Sequence, residues 1–281
     1  MTRVAVITDS AANLPTDLAA KSGISVVPMY LKFGAEVLRD GVDLAGTQFY
    51  ERLVSGRMLA TTSAPSPGDF LRAFDACFER GADCALCVSV ASSMSVSCDS
   101  ARLGARNLPE RRVEVLDSGT ASIAEGFVAL EAARAAAGGA GLDEVVSRAE
   151  EIAARVDLVA AIGTFEFLRR SGRVNSLAAL AATALDIHPV FRFRRGHPGP
   201  IAKPRTRRRA LERVMREILE GAGDRPVHLG VFHAGCMDDA LAMEVALKER
   251  LDVRESLVTE FTAVMGAHTG PGLVGAAYWT E

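Results

Sequence analysis

Residues 84–105 read CALCVSVASSMSVSCDSARLGA: an apolar, β-rich run stops abruptly at a Ser-dense loop, which turns into a helix. A short continuous apolar run bounded by turn residues is the pattern of a strand buried on both faces, and such strands belong to parallel sheets covered by helices. The same order recurs on either side. Toward the N-terminus, VAVITDS (4–10) is a strand ending in Asp and Ser; NLPTDLAAKSG (13–23) then carries Pro and Asp where a helix starts and Gly where it stops. Toward the C-terminus, RRVEVLDS (111–118) is a strand, followed by a small-residue helix around GFVALEAARAAA (126–137). After a turn at GGAGLDEV (138–145), a long Ala-rich helix runs to about Arg155. Strands alternating with helices at this spacing predict parallel βαβ units.

Between the first two of these units, SVVPMYLKF (25–33) reads as a strand, with turns around Gly34 and RDGVDL (39–44) and a helix from about Thr47 to Leu53. TTSAPSPGDF (61–70) reads as a polar loop whose Ser66 caps a helix running to about Arg80. VDLVAAIGT (156–164) opens a second unit, with helical FEFLRRSGRVN (165–175) and LAALAATALDI (177–187) after it. HPVFRFRRGHPGPIAKPRTRR (188–208) predicts two short strands around a Gly/Pro turn. A helix, the strand VHLGVFHAG (227–235), another helix, and a closing pair of apolar strands separated by a loop complete the chain. The expected division is 1–155 and 156–281, both α/β, the first with a mostly parallel sheet flanked by helices and the second with a mixed sheet.

The 281 residues, 49% hydrophobic and 24% charged, suffice for two compact domains and exclude a disordered, collagen-like or disulfide-stapled chain. A net charge of −3 gives no global field to hold nucleic acid or a membrane surface. Five scattered cysteines suit free thiols in a reducing compartment. The start of the sequence shows no cationic leader, and no apolar run reaches the roughly 20 residues of a membrane span, so a cytoplasmic location is expected. The Cys84/Cys87 pair has redox or zinc spacing, but the run is apolar and no second pair lies at finger spacing; buried strand thiols are the better reading.

Hydroxyls and free N–H groups at a helix start make an anion site, and Ser92, Ser93, Ser95 and Ser97 stand at one. Helix capping accounts for the same residues. Thr61, Thr62 and Ser63, and Thr8, Asp9 and Ser10, lie where loops at the carboxyl ends of strands converge in open α/β sheets, though turn chemistry and capping explain them equally well. His268 sits in AHTGPG, a loop whose glycines let a ligand approach the backbone; Arg173, in RRSGRVN, reaches the same anion or covers surface. The segment from Arg192 to Arg209 holds eight Lys or Arg without a nucleic-acid-binding module, and reads as a solvated or partner-binding face.

The ordered series TDS, VVPMYLKFG, RDGVDL, TTSAPSPGDF, SSMSVS followed by SAR, LDS, FLRRSGR, PRTRRRAL and HTGPG resembles the DegV family of bacterial fatty-acid-binding proteins, from about Val4 to Trp279. The resemblance implies a two-domain α/β protein that encloses one long-chain fatty acid in an apolar tunnel. It also implies that the acyl carboxylate is presented to a separate kinase, which makes an acyl phosphate for phospholipid synthesis. By motif, Thr62 and Ser95 would hold the carboxylate with backbone N–H groups near Val96, Arg173 and His268 would orient the head group, and Arg205 would meet the kinase. No cofactor or metal is implied. Two departures stand out: Met94-Ser95-Val96-Ser97 replaces the usual Leu-Ser-Gly-Thr, and Ser171-Gly172-Arg173 the usual Gly-Gly-Arg. Val96 puts a branched side chain where Gly permits positive φ.

Two other classes compete with the non-catalytic carrier. A lipid-active serine hydrolase would use Ser95 as nucleophile and His268 as base. A nucleic-acid-binding regulator would use the Arg192 to Arg209 segment, with binding that weakens steeply as salt rises.

Overall fold

The computed structural model describes residues 2–55, 60–164, 166–168 and 187–281. Arg173 and most of the helical stretch expected over 165–187 lie outside the described residues.

The first strand, β1 (Val4–Asp9), passes through a 3-10 turn (Ser10–Ala12) and helix α1 (Thr16–Lys21) to β2 (Ile24–Val27). Pro28, which has no N–H to extend a ladder, ends that strand, so SVVPMYLKF is two strands in two sheets where the sequence suggests one. β3 (Tyr30–Phe33), β4 (Glu36–Arg39) and, beyond helix α2 (Gly46–Ser55), β5 (Thr61–Ser63) form a small antiparallel sheet in the order β4-β3-β5. Thr61–Ser63 is thus an edge strand, paired to Tyr30–Lys32 through its backbone, and not the loop its polarity suggests.

Helix α3 (Pro67–Glu79) begins with a reciprocal cap: Ser66 Oγ accepts the Asp69 N–H and Asp69 Oδ2 accepts the Ser66 N–H, with Pro67 in the first turn. β6 (Cys84–Ser89), α4 (Ser97–Ala105) and β7 (Arg112–Asp117) complete a parallel sheet of order β2-β1-β6-β7. Two helices follow, α5 (Ile123–Ala137) and α6 (Leu142–Arg155). The remaining strands are β8 (Asp157–Ala161), the hairpin β9 (Val190–Arg194) and β10 (His197–Ala202), β11 (Val227–His233), β12 (Val253–Glu260) and β13 (Val274–Thr280). They form a mixed six-stranded sheet, β10-β9-β8-β13-β11-β12, in which β11 and β12 are parallel and the other neighbours antiparallel. Helices α7 (Arg207–Ala222), α8 (Met237–Lys248) and the short α9 (Ala263–Thr269) connect them.

These elements stack in five layers. Ile7, Ala85 and Cys87 on one face of the parallel sheet pack on Phe70 and Phe74 of α3 and Ala101 of α4. The alternate residues Val6, Leu86 and Val88 face α5 and α6, as the period of two along a strand requires. Those two helices form a central layer, because Phe127, Leu130, Val145 and Ile152 share one core with Leu158, Ala160, Ala277 and Trp279 of the second sheet. The outer face of the second sheet is closed by Val214 and Ile218 of α7 and Met243 and Leu247 of α8. Cys84 and Cys87, three residues apart on a strand, fall in cores on opposite faces of the parallel sheet, so their sulfurs cannot act as a pair. All five cysteines are free. Among the described residues, no helix is long and apolar enough to cross a membrane and no acid–His–Cys cluster could hold a metal.

Candidate functional site

The carboxyl ends of parallel strands in an open sheet leave a crevice, and here a cavity of about 310 Å³ occupies it. Three segments wall it: Thr62, Ser63 and Ala64 at the end of β5, Ser92 to Val96 between β6 and α4, and Val264, Met265 and His268 of α9. Ala11, Met29 and Val90 complete the lining with apolar surface. Thr62, Ser95, Val96 and His268 are therefore brought together at one cavity, although they span 207 positions of the sequence from 62 to 268.

His268 stands in the last turn of a helix and not in a loop. Its Nε2 and Thr62 Oγ1 are 2.8 Å apart, a hydrogen bond between a short helix and an edge strand. Ser95 Oγ is 2.9 Å from Ser97 Oγ and accepts the Ser97 N–H, so the hydroxyl both lines the cavity and caps the start of α4. The Ser-rich loop is held from below: Ser92 donates its N–H to Asp117, and the Met94 and Ser95 N–H groups donate to Ala91 O. Val96 is the N-cap of α4 with φ −83°, an ordinary value, and its side chain is 64% exposed. The positive φ that Gly would permit here is not used: this loop is built with Val96 in an ordinary conformation, and its exposed isopropyl group lies at the mouth.

Thr8, Asp9 and Ser10 are buried and do not line this cavity; Asp9 caps the 3-10 turn, and Asp9 and Ser10 line a separate cleft of about 290 Å³. Asp9 accepts N–H bonds from Ala11 and Val90 and an O–H bond from Ser89, fixing two lining residues from behind. Burial pushes its carboxyl up to about 6, with those bonds pulling the other way. Glu125, also buried, is pushed well above the ordinary range by burial and then by the neighbouring Asp9 charge, while Thr8 Oγ1 donates to it.

The sequence gives no sign of Asp40 as a site residue, yet it anchors α9. Its Oδ1 accepts the Val264 N–H and its Oδ2 accepts the Ser10 O–H at 2.7 Å, while Ser10 Oγ accepts the Met29 N–H. Asn13 Oδ1 takes the Thr262 N–H at 2.8 Å. Two side chains from distant loops thus satisfy the start of the helix that carries His268. Desolvation raises the Asp40 carboxyl to about 6. A signal existed only in the RDG turn, which reads as punctuation.

A second cleft, of about 260 Å³, opens at the other end of β1 and is lined by Arg3 and Arg80. Its guanidiniums donate to Arg80 O and Ser25 Oγ where α3 ends, as cations offset the negative end of a helix. Arg205, expected to meet a partner, is exposed just ahead of α7. Within the same basic segment, Arg192 is paired with Asp157 and Glu217, Arg207 with Asp239 and Arg208 with Glu212.

Fold and site define a three-sheet α/β protein with a hydroxyl-rimmed, largely apolar cavity at the carboxyl edge of its parallel sheet. A family model described as "uncharacterised protein, DegV family" matches residues 3–281. The chain belongs to the DegV family. A DegV domain-containing protein of Streptomyces coelicolor is 35% identical over 273 residues, covering 97% of this chain and 96% of its own. A Thermus thermophilus DegV family structure, described for its fatty acid binding, superposes with a TM-score of 0.93 at 30% identity, covering 100% of both chains. DegV of Bacillus subtilis, described as a fatty acid binding protein, superposes at 0.89 with 26% identity, again over 100% of both chains.

Proposed function

We propose that this protein binds one long-chain fatty acid and carries it without transforming it. The acyl tail lies against the apolar lining, and the carboxylate is held by Thr62 Oγ1, Ser95 Oγ and the backbone N–H near Val96. His268 and Arg173 orient the head group. The observation that carries the reading is the meeting of Thr62, Ser95 and His268 at a single cavity whose remaining lining is Ala, Val and Met together with Ser63, Ser92 and Ser93. Burying a methylene contributes about 0.8 kcal/mol, so a chain of some fifteen carbons has a transfer gain on the order of 10 kcal/mol before ordering costs. Charge-assisted hydrogen bonds then fix the head. The likeness to the fatty-acid-binding proteins of Thermus and Bacillus supports the same ligand class.

In this reading the two α/β units, divided near Arg155, enclose the ligand, and a separate cytoplasmic kinase, docking at Arg205, phosphorylates the presented carboxylate for phospholipid synthesis. Exposed cations favour encounter with an acidic partner surface. The chemistry belongs to that partner: His268 Nε2 engages Thr62 Oγ1 and Ser95 Oγ engages Ser97 Oγ, an arrangement suited to holding an anion. A nucleic-acid role is weakened by the ion pairs that neutralise Arg192, Arg207 and Arg208 locally.

The test is denaturing mass spectrometry of the purified protein after organic extraction. Stoichiometric fatty acid is the expected result; an empty protein that also refuses added oleate and palmitate overturns the reading. Pull-down of a kinase by the wild-type chain but not by Arg205→Glu tests the partner.

A further inference from the structure

The hairpin between β9 and β10 turns through Arg195 and Gly196, with φ 50° and 78°. Two consecutive positive φ angles make the mirror-image turn that matches strand twist, and its first position is normally Asn, Asp or Gly. A long cationic side chain there is held in a conformation that L-residues avoid, and such outliers gather at functional sites.

The turn is not free in solvent. Gly196 donates its N–H to Gly119 O at 2.5 Å, and Ser93 donates its hydroxyl to Gly196 O at 2.6 Å. A Cβ on Gly119 would lie 3.5 Å from Arg195 Cα. Ser93 lines the cavity, so the hairpin tip of the second sheet is latched to the rim of a site built mainly from the first. Arg195 is exposed and has no ion pair among the described residues. Its neighbours are committed elsewhere: Arg192 pairs with Asp157 and Glu217, and Arg194 lies in the field of Asp157. The one nearby carboxylate on the latched loops, Asp117, accepts the Ser92 and Gly119 N–H groups.

We propose that Arg195 is a specificity-determining residue at the cavity mouth, whose guanidinium meets the carboxylate of a long-chain acid and selects anionic over neutral lipids. This rests on the fatty-acid reading above. The Ser93–Gly196 latch sets where the cation stands, and Arg195 supplies the charge that the hydroxyls lack.

The test compares oleate with oleyl alcohol by titration calorimetry on wild type, Arg195→Asn and Arg195→Lys. Asn suits the positive φ, so its thermal midpoint should equal or exceed that of wild type while its oleate Kd rises roughly three- to tenfold. Oleyl alcohol binding should be unchanged, and Lys should retain oleate affinity within about twofold. Unchanged oleate affinity in the Asn variant, with wild-type binding intact, overturns this inference alone. Equal losses for oleate and the alcohol also overturn it, because they indicate a displaced rim. A wild-type protein that binds neither lipid overturns the fatty-acid reading, and this inference with it.

Discussion

Thr62 Oγ1 and His268 Nε2 are hydrogen-bonded at 2.8 Å across 206 positions of sequence, joining an edge strand of the small sheet to the short helix that precedes β13. The contact closes one wall of the cavity and aligns a hydroxyl and an imidazole toward the same space.

Removing either head-group hydroxyl should weaken ligand binding. Thr62→Ala and Ser95→Ala are each expected to cost about 1–3 kcal/mol of affinity for oleate, the worth of a hydrogen bond to a charged acceptor. Titration calorimetry reads this directly. Unchanged affinity in both variants would remove Thr62 and Ser95 from the head-group role.

Gly266 lies within α9, where a Cβ would stand 2.5 Å from Tyr50 Oη and 2.9 Å from Phe49 Cε1, both on buried rings. Neither ring can yield easily, since Phe49 and Tyr50 are in edge-to-face contact at 5.2 Å. Gly266→Ala is therefore expected to lose about 1–3 kcal/mol of stability in urea titration, as overpacked cores do. Because the displaced helix carries His268, oleate affinity should fall as well. Wild-type stability in this variant would show that α9 packs less tightly than its contacts require.

The elements with long apolar runs were legible because burial on both faces leaves a compositional mark: β1, β6 and β11 follow VAVITD, CALCVS and VHLGVFH closely. So was the start of α3, where Ser66, Pro67 and Asp69 encode a cap by local chemistry alone. Thr61–Ser63 was not, since three polar residues contain no periodicity and the strand exists through pairing with β3. The helical setting of His268 escaped notice because α9 is only seven residues long and its start is satisfied by Asp40 and Asn13 from remote loops. The sharing of α5 and α6 between two sheets was hidden too, because a small-residue helix reads the same whether one face or all of it is covered.

That shared layer has a thermodynamic consequence. Phe127 is fully buried on α5, in a core that includes residues of both sheets. Phe127→Ala is expected to cost about 3–5 kcal/mol through lost contacts and a residual cavity. Since both sheets lose the same support, unfolding should remain a single transition moved to lower denaturant. Trp279 on β13, the sole tryptophan, reports the second sheet by fluorescence, and far-UV circular dichroism reports the whole. Two separated transitions would mean that the units fold independently.

Asp9 and Asp40 give stability a pH dependence opposite in sign to that of ordinary salt-bridged carboxylates. Each is raised from 3.8 to about 6 by burial, so between those values the folded chain holds protons that the unfolded chain has released. Stability contributed by each group is thus fully present below about pH 4 and lost as pH rises through 6. At about 1.4 kcal/mol per pKa unit, each loss is on the order of 3 kcal/mol. Asp43, lowered to about 2 by Arg39, acts in the other direction at more acid pH, so the test compares two proteins. Asp40→Asn cannot ionise. Its stability relative to wild type should therefore climb between pH 4 and 7 in urea titrations, whatever fixed cost the altered bonds to Ser10 and Val264 impose. A difference that stays constant across that range would show that Asp40 ionises as readily in the folded chain as in the unfolded one.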